Sequence, residues 1–147
     1  MRIHSHECCF YSDIYRAKEA VLEILTFIAG QLPLLTEEEK NDLRLIFSEL
    51  LYNAVIHGNG RDTSKRVRVR VRLRTDAAGA TISAWVVDEG HGFDYQDQGA
   101  DQGQEPEFIS ESGRGIQLVR GIVDTFSLEP PGNKVEFSKK VRVAVNG

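Results

Sequence analysis

The sequence predicts an α+β fold, a two-layer α/β sandwich in which helices cover one face of a mainly antiparallel, mixed sheet. Three observations predict it. Residues 66–74 and 80–88 alternate apolar with polar side chains, so each strand buries one side and wets the other. That excludes a doubly wound sheet with helices on both faces. Residues 14–31 and 36–57 carry apolar residues at helical spacing. Two further strands and a third helix follow the strand pair, with no repeat and no linker. A chain of 147 residues, 41% hydrophobic and 27% charged, suits one domain over 1–147 with a real core.

The opening MRIHSHECC reads as a short edge strand with its polar residues facing water. His4, His6 and Cys8 share a face there, a spacing that suits metal ligands, but no fourth ligand is evident. Adjacent Cys8 and Cys9 make a mutual disulfide strained, so reduced thiols are expected. In the helix over 14–31, Ile14, Ala17, Val21, Ile24 and Ile28 form the apolar stripe. Pro33 follows, and Thr36 with Glu39 makes a capping box that starts the second helix. That helix is expected to run through His57, with Gly58 closing it in a left-handed conformation and Asn59-Gly60 turning the chain.

From Arg66 to Arg74, Val67, Val69, Val71 and Leu73 face one way and five arginines the other. After a turn at Asp76–Gly79, Ile82, Ala84 and Val86 share the inner face of the next strand, and Asp88 continues that register. Residues 95–111 are polar and almost free of apolar side chains, too long for an ordinary connection, and read as a mobile loop. A third helix is expected at about 114–124, then strands at Phe126–Glu129 and Val135–Val143.

The chemistry concentrates in three segments. Glu49, Asn53 and His57 stand at successive turns in SELLYNAVIHGNG, an acid, an amide and an imidazole on one stripe of an otherwise apolar helix. Packing gives no reason for that stripe. Asn53 offers a neutral oxygen suited to Mg²⁺, and Glu49 can take a proton from a hydroxyl or orient a water. His57 is a supporting residue near the negative end of the helix dipole. In VVDEGHGFD, Asp88 ends a strand in the inward register, where its desolvated carboxylate suits an exocyclic amine such as adenine's. Gly90 and Gly92 let the backbone bend beside a flat base. In SGRGIQLVRGIVD, Gly113 and Gly115 bracket Arg114 at a helix start, where free amides and a guanidinium favour phosphate. Each motif alone has a bland reading as a turn, a cap or a loop closure.

Jointly, in this order, the segments resemble the superfamily of gyrase, Hsp90, histidine-kinase and MutL ATP-binding domains, over about residues 12–143. Within it, ELLYNAVIHGN, VVDEGHGFD and SGRGIQLVRGIVD look most like the bacterial anti-sigma factor serine kinases. The resemblance implies a Bergerat-type ATP-binding fold holding ATP between helices and sheet, with Mg²⁺ bound through Asn53. It implies that Asp88 reads the adenine amine and that Glu49 is the base for a protein serine hydroxyl. His57 and Arg114 would line the nucleotide site, Gly90, Gly92, Gly113 and Gly115 would shape it, and residues 95–112 would form the ATP lid. The implied partners are a STAS-domain anti-sigma antagonist and a sigma factor or similar regulatory protein, with homodimers common.

The chain departs from the family where a Gly-Thr pair usually precedes the final strand: here stand Gly132, Asn133 and Lys134. Gln117 replaces an apolar residue, and the lid is unusually acidic. These departures keep open a non-catalytic nucleotide-binding interaction module of the same fold. A histidine-kinase-like catalytic domain is the other alternative, although the chain lacks room for a dimerising helical hairpin. A net charge of −4 argues against a general nucleic-acid binder. No apolar stretch approaches a membrane span, and the N-terminus lacks the pattern of a signal peptide, so a cytoplasmic protein is expected. The arginine face at 66–74 reads as the solvated side of the sheet or as a docking surface for an acidic partner, with Trp85 on the same open face.

Overall fold

A computed structural model of the chain describes residues 1–90, 115–129 and 133–143. Strand β1 spans Arg2–Tyr11, helix α1 Ile14–Gln31 and helix α2 Glu37–Asn53. Strands β2 (Arg66–Asp76) and β3 (Gly79–Asp88) follow. A third helix, α3, is helical over 115–122, before β4 (Thr125–Glu129) and β5 (Lys134–Val141). The strands form one sheet in the order β1-β2-β3-β5-β4, and each described ladder is antiparallel.

The alternation in β2 and β3 sets the layers. Val67, Val69, Val71 and Leu73 are buried, as are Ile82, Ala84 and Val86, and the β2 arginines lie on the opposite side. Against the apolar side pack Ala17, Val21, Ile24 and Ile28 of α1 and Leu43, Ile46, Phe47 and Leu50 of α2, in one continuous core. Phe47 meets Phe137 of β5 edge to face at 5.5 Å, tying the second helix to the sheet. No described helix is long and apolar enough to cross a membrane.

The helix starts follow their caps. Asp13 accepts from Tyr15 N at 2.7 Å and opens α1. Thr36 Oγ1 accepts from Glu39 N at 3.2 Å and opens α2, but the reciprocal half of the capping box does not form. The Glu39 carboxylate instead turns inward. It is 1% exposed, takes both contacts from Lys139 Nζ at 3.1 Å, and accepts from Arg142 N at 3.2 Å. Charge pairing with the end of β5 outcompetes the local return bond, because the buried Lys139 needs a counter-ion.

Two other expectations change. β1 is a ten-residue strand, and its His4, His6 and Cys8 side is half-buried towards α1 rather than facing water. His6 Nε2 lies 3.0 Å from Glu23 Oε2 and its ring stacks on Phe27 at 5.1 Å. Burial, with Glu23 beside it, pushes the Cys8 thiol up to about 12, so it stays protonated, and both cysteines are free. Among the described residues no group of three or more His, Cys, Asp or Glu is placed to hold a metal.

Candidate functional site

Helix α2 does not continue as a regular α-helix through His57. Residues Ala54–Gly58 form a π-helical turn, in which the widened spiral inserts one extra residue. Gly58 is not left-handed. Positive φ values come instead two and three residues later, at Gly60 (59°) and Arg61 (61°). Gly58 is required for a different reason: a Cβ there would overlap the carboxylate of Asp88. A Cβ at Gly90 would overlap the Gly58 carbonyl oxygen. The end of β3 therefore lies directly on the π turn, and two glycines permit the approach.

Asp88 is 4% exposed and points to the helix side, as its register predicts. Its Oδ1 accepts from Gly90 N at 2.8 Å. Burial raises its carboxyl above the ordinary carboxylate range, opposed by the Gly90 amide and more weakly by Lys65. Its backbone is fixed by the residue that stands in place of the expected hydroxyl. Asp88 N donates to the Asn133 carbonyl at 3.0 Å, and Asn133 Nδ2 donates back to the Asp88 carbonyl at 3.3 Å. The amide thus braces the main chain beneath the carboxylate.

Asn59 is the other clamp. It is 3% exposed, and its Nδ2 donates to Ser12 Oγ at 2.7 Å and to the Arg66 carbonyl at 2.9 Å. Its Oδ1 accepts from Glu89 N at 2.7 Å, and its own N–H reaches Ala54 O at 2.8 Å. One side chain joins the π turn to the α1 entrance, the start of β2 and the end of β3. Sequence reading assigned it only the ordering of a turn, because nothing in Asn-Gly reveals those remote partners.

Further back along α2, a Cβ at Gly115 would overlap the Glu49 carboxylate, so α3 meets α2 at Glu49. Between the two contacts, along the helix, lies Asn53. It is 4% exposed, and its Nδ2 makes no hydrogen bond among the described residues. An amide left buried this way costs about 1–3 kcal/mol unless something else meets it. A half-turn of the group exchanges its nitrogen and oxygen, so the position can present either polarity. His57 is half-buried, and desolvation followed by the nearby Arg61 lowers its pKa, favouring the neutral ring.

The structure thus brings Glu49 to Gly115, and Asp88 with Gly90 to Gly58, along one helix that also carries Asn53 and His57. Gly92, Gly113, Arg114 and the expected lid at 95–112 lie outside the described residues. A desolvated carboxylate and a buried amide with unmet hydrogen-bonding capacity, held along one helix, suit a polar ligand that meets both.

Comparison with known proteins bears on this geometry. Residues 13–139 match the family model of the histidine kinase-like ATPase domain. An anti-sigma F factor of Clostridium perfringens is 30% identical over 130 residues, which cover 83% of this chain and 86% of that protein. An anti-sigma F factor of Clostridium beijerinckii is 26% identical over 132 residues, covering 84% and 85%.

Proposed function

The chain belongs to the histidine kinase-like ATPase domain family, and from that membership we propose that it is an ATP-binding regulatory protein of the anti-sigma factor type. In this reading it is a serine/threonine protein kinase that phosphorylates a STAS-domain antagonist and sequesters a sigma factor or similar partner, acting as a homodimer in the cytoplasm. The relatives named anti-sigma F factor support the class of partner. The observation that carries the proposal is the alignment along α2 of Glu49 against Gly115, the unsatisfied Asn53 amide, and Asp88 against Gly58. From Glu49 to Gly58 the helix advances about 14 Å at 1.5 Å per residue, a span comparable to the length of an extended nucleoside triphosphate.

Each residue then has a role set by its surroundings. Asp88 accepts from the adenine amine, and its raised pKa makes that donor more valuable. Gly90 and Gly92 shape the site, Gly90 by letting the end of β3 close on Gly58. Asn53 would hold Mg²⁺ through its Oδ1. Gly113, Arg114 and Gly115 receive phosphate oxygens, and His57 supports the wall of the site. Bound Mg·ATP supplies the transferable phosphoryl group. Glu49, held where α2 meets α3, takes the proton of the incoming serine hydroxyl.

Transfer of labelled γ-phosphate to a STAS-domain protein tests this. Glu49→Ala should abolish transfer while ATP still binds; normal transfer by that variant refutes the assigned base. One observation favours a second reading, a nucleotide-binding interaction module without catalysis: Asn133 bonds to the Asp88 main chain where the family places a hydroxyl. Tight ATP binding with no transfer to any antagonist would select it.

A further inference from the structure

The sheet face turned away from the helices carries a pattern that the nucleotide site does not use. Strand pairing sets Cys9, Arg68, Val87 and Lys134 in one row across it, and Glu7, Arg70, Trp85 and Glu136 in the next. A third row holds Ser5, Arg72, Ser83 and Ser138. The five β2 arginines, with Lys134 and Lys140, outnumber the acids on this side, Glu7, Asp76, Glu129 and Glu136 with Glu89 at its edge, in a chain whose net charge is −4. Cations are therefore in excess on this face although the chain as a whole is acidic.

That excess is only partly compensated. Arg70 pairs with Glu7 at 3.0 Å, Arg66 with Glu89 at 3.5 Å, Lys134 with Glu129 at 3.6 Å and Arg74 with Asp76 at 3.8 Å. Arg68 and Arg72 are exposed and have no carboxylate within 4.0 Å among the described residues. Along a strand, alternate side chains are about 7 Å apart, close enough for like charges to repel within a Debye length. Beside these arginines Trp85 is half-buried, and Cys9, Arg68, Arg70, Trp85, Val87 and Lys134 line one shallow groove. A tryptophan flanked by guanidinium groups is the composition of an interface centre, not of an inert solvated face.

We propose that this face is a docking surface for an acidic, extended segment of a partner protein. A strand-like segment carrying carboxylates at alternate positions repeats at the same spacing as the β2 arginines, and its apolar residues meet Trp85 and Val87. A second copy of this chain is a poor occupant, because two such faces would oppose cation to cation. Nucleic acid is disfavoured too: Glu7 and Glu136 stand in the Trp85 row and would repel phosphates. The surface lies across the sheet from Asp88 and Asn53, so its occupancy is independent of the proposed nucleotide reading.

Trp85 is the chain's one tryptophan, so its emission reports this groove directly. The test titrates a short peptide alternating Glu with Leu into the full chain, follows Trp85 emission, and repeats the titration with an Arg68→Glu/Arg72→Glu variant. The wild type should bind with an affinity that falls as salt is raised, and the variant should bind at least about tenfold more weakly. An Arg68→Lys/Arg72→Lys variant should retain most of the binding, which separates charge from folding. ATP titration on the same samples should be unchanged. The proposal is overturned if the wild type does not bind the peptide or if the charge-reversed variant binds it equally. It is also overturned if duplex DNA binds more tightly than the peptide, or if the response proves to be self-association of the chain.

Discussion

Gly58→Ala separates two accounts of the helix end. In a helix with open space around it, glycine to alanine gains up to about 1 kcal/mol from backbone entropy. Gly30 and Gly121 are such positions, with nothing within 4 Å of an added Cβ. Gly58 is not, because the new methyl would occupy the space of Asp88 Cγ and both carboxylate oxygens. Displacing that carboxylate forfeits its bond from Gly90 N, worth about 1.5–3 kcal/mol for a charged acceptor, and overpacking adds about 1–3 kcal/mol. After the propensity gain, about 2–4 kcal/mol of net destabilisation remains. Urea denaturation should show Gly58→Ala less stable than wild type and Gly30→Ala equal or more stable. The double variant Gly58→Ala/Asp88→Ala should fall short of the summed single effects by about 2 kcal/mol, since the methyl then has room. Additive effects, or a Gly58→Ala protein as stable as Gly30→Ala, would refute the contact argument.

Three further outcomes follow from the same contacts. Because burial raises the Asp88 pKa, the folded protein keeps a proton that the unfolded chain has already released. Wild-type stability relative to Asp88→Asn should therefore fall as pH rises from the ordinary carboxylate range through the raised value, then level off; a flat difference in denaturation midpoints contradicts it. Lys139→Met should cost about 3 kcal/mol by leaving Glu39 buried without its main counter-ion, and adding Glu39→Gln should restore much of that in chemical denaturation. Asn59→Ala removes three side-chain bonds and should cost about 3 kcal/mol, with hydrogen exchange accelerating at both Glu89 and Ala54–Gly58.

The layers were legible because strict alternation over 66–74 and 80–88 leaves only one buried face, and α1 spans the 14–31 that its apolar stripe predicts. Asp88 was placed correctly for the same reason, since parity along a strand cannot drift. What stayed hidden depends on distance in sequence. Gly58 followed by Asn-Gly looks locally like a left-handed cap, and only the arrival of Asp88 thirty residues later gives its true reason. Glu39 looked like a capping-box acid until Lys139, a hundred residues away, claimed it. The π turn has no compositional signature in AVIHG at all. Such features are fixed by the pairing of elements, whereas periodicity reports only what each element does alone.

The most direct test of the central claim is a calorimetric titration of ATP with Mg²⁺ into the wild type and into Asp88→Ala. The account predicts that the wild type binds and that Asp88→Ala, still folded by circular dichroism, loses the binding heat. An unchanged affinity in Asp88→Ala would contradict it, for then the buried carboxylate at the end of β3 does not read the base.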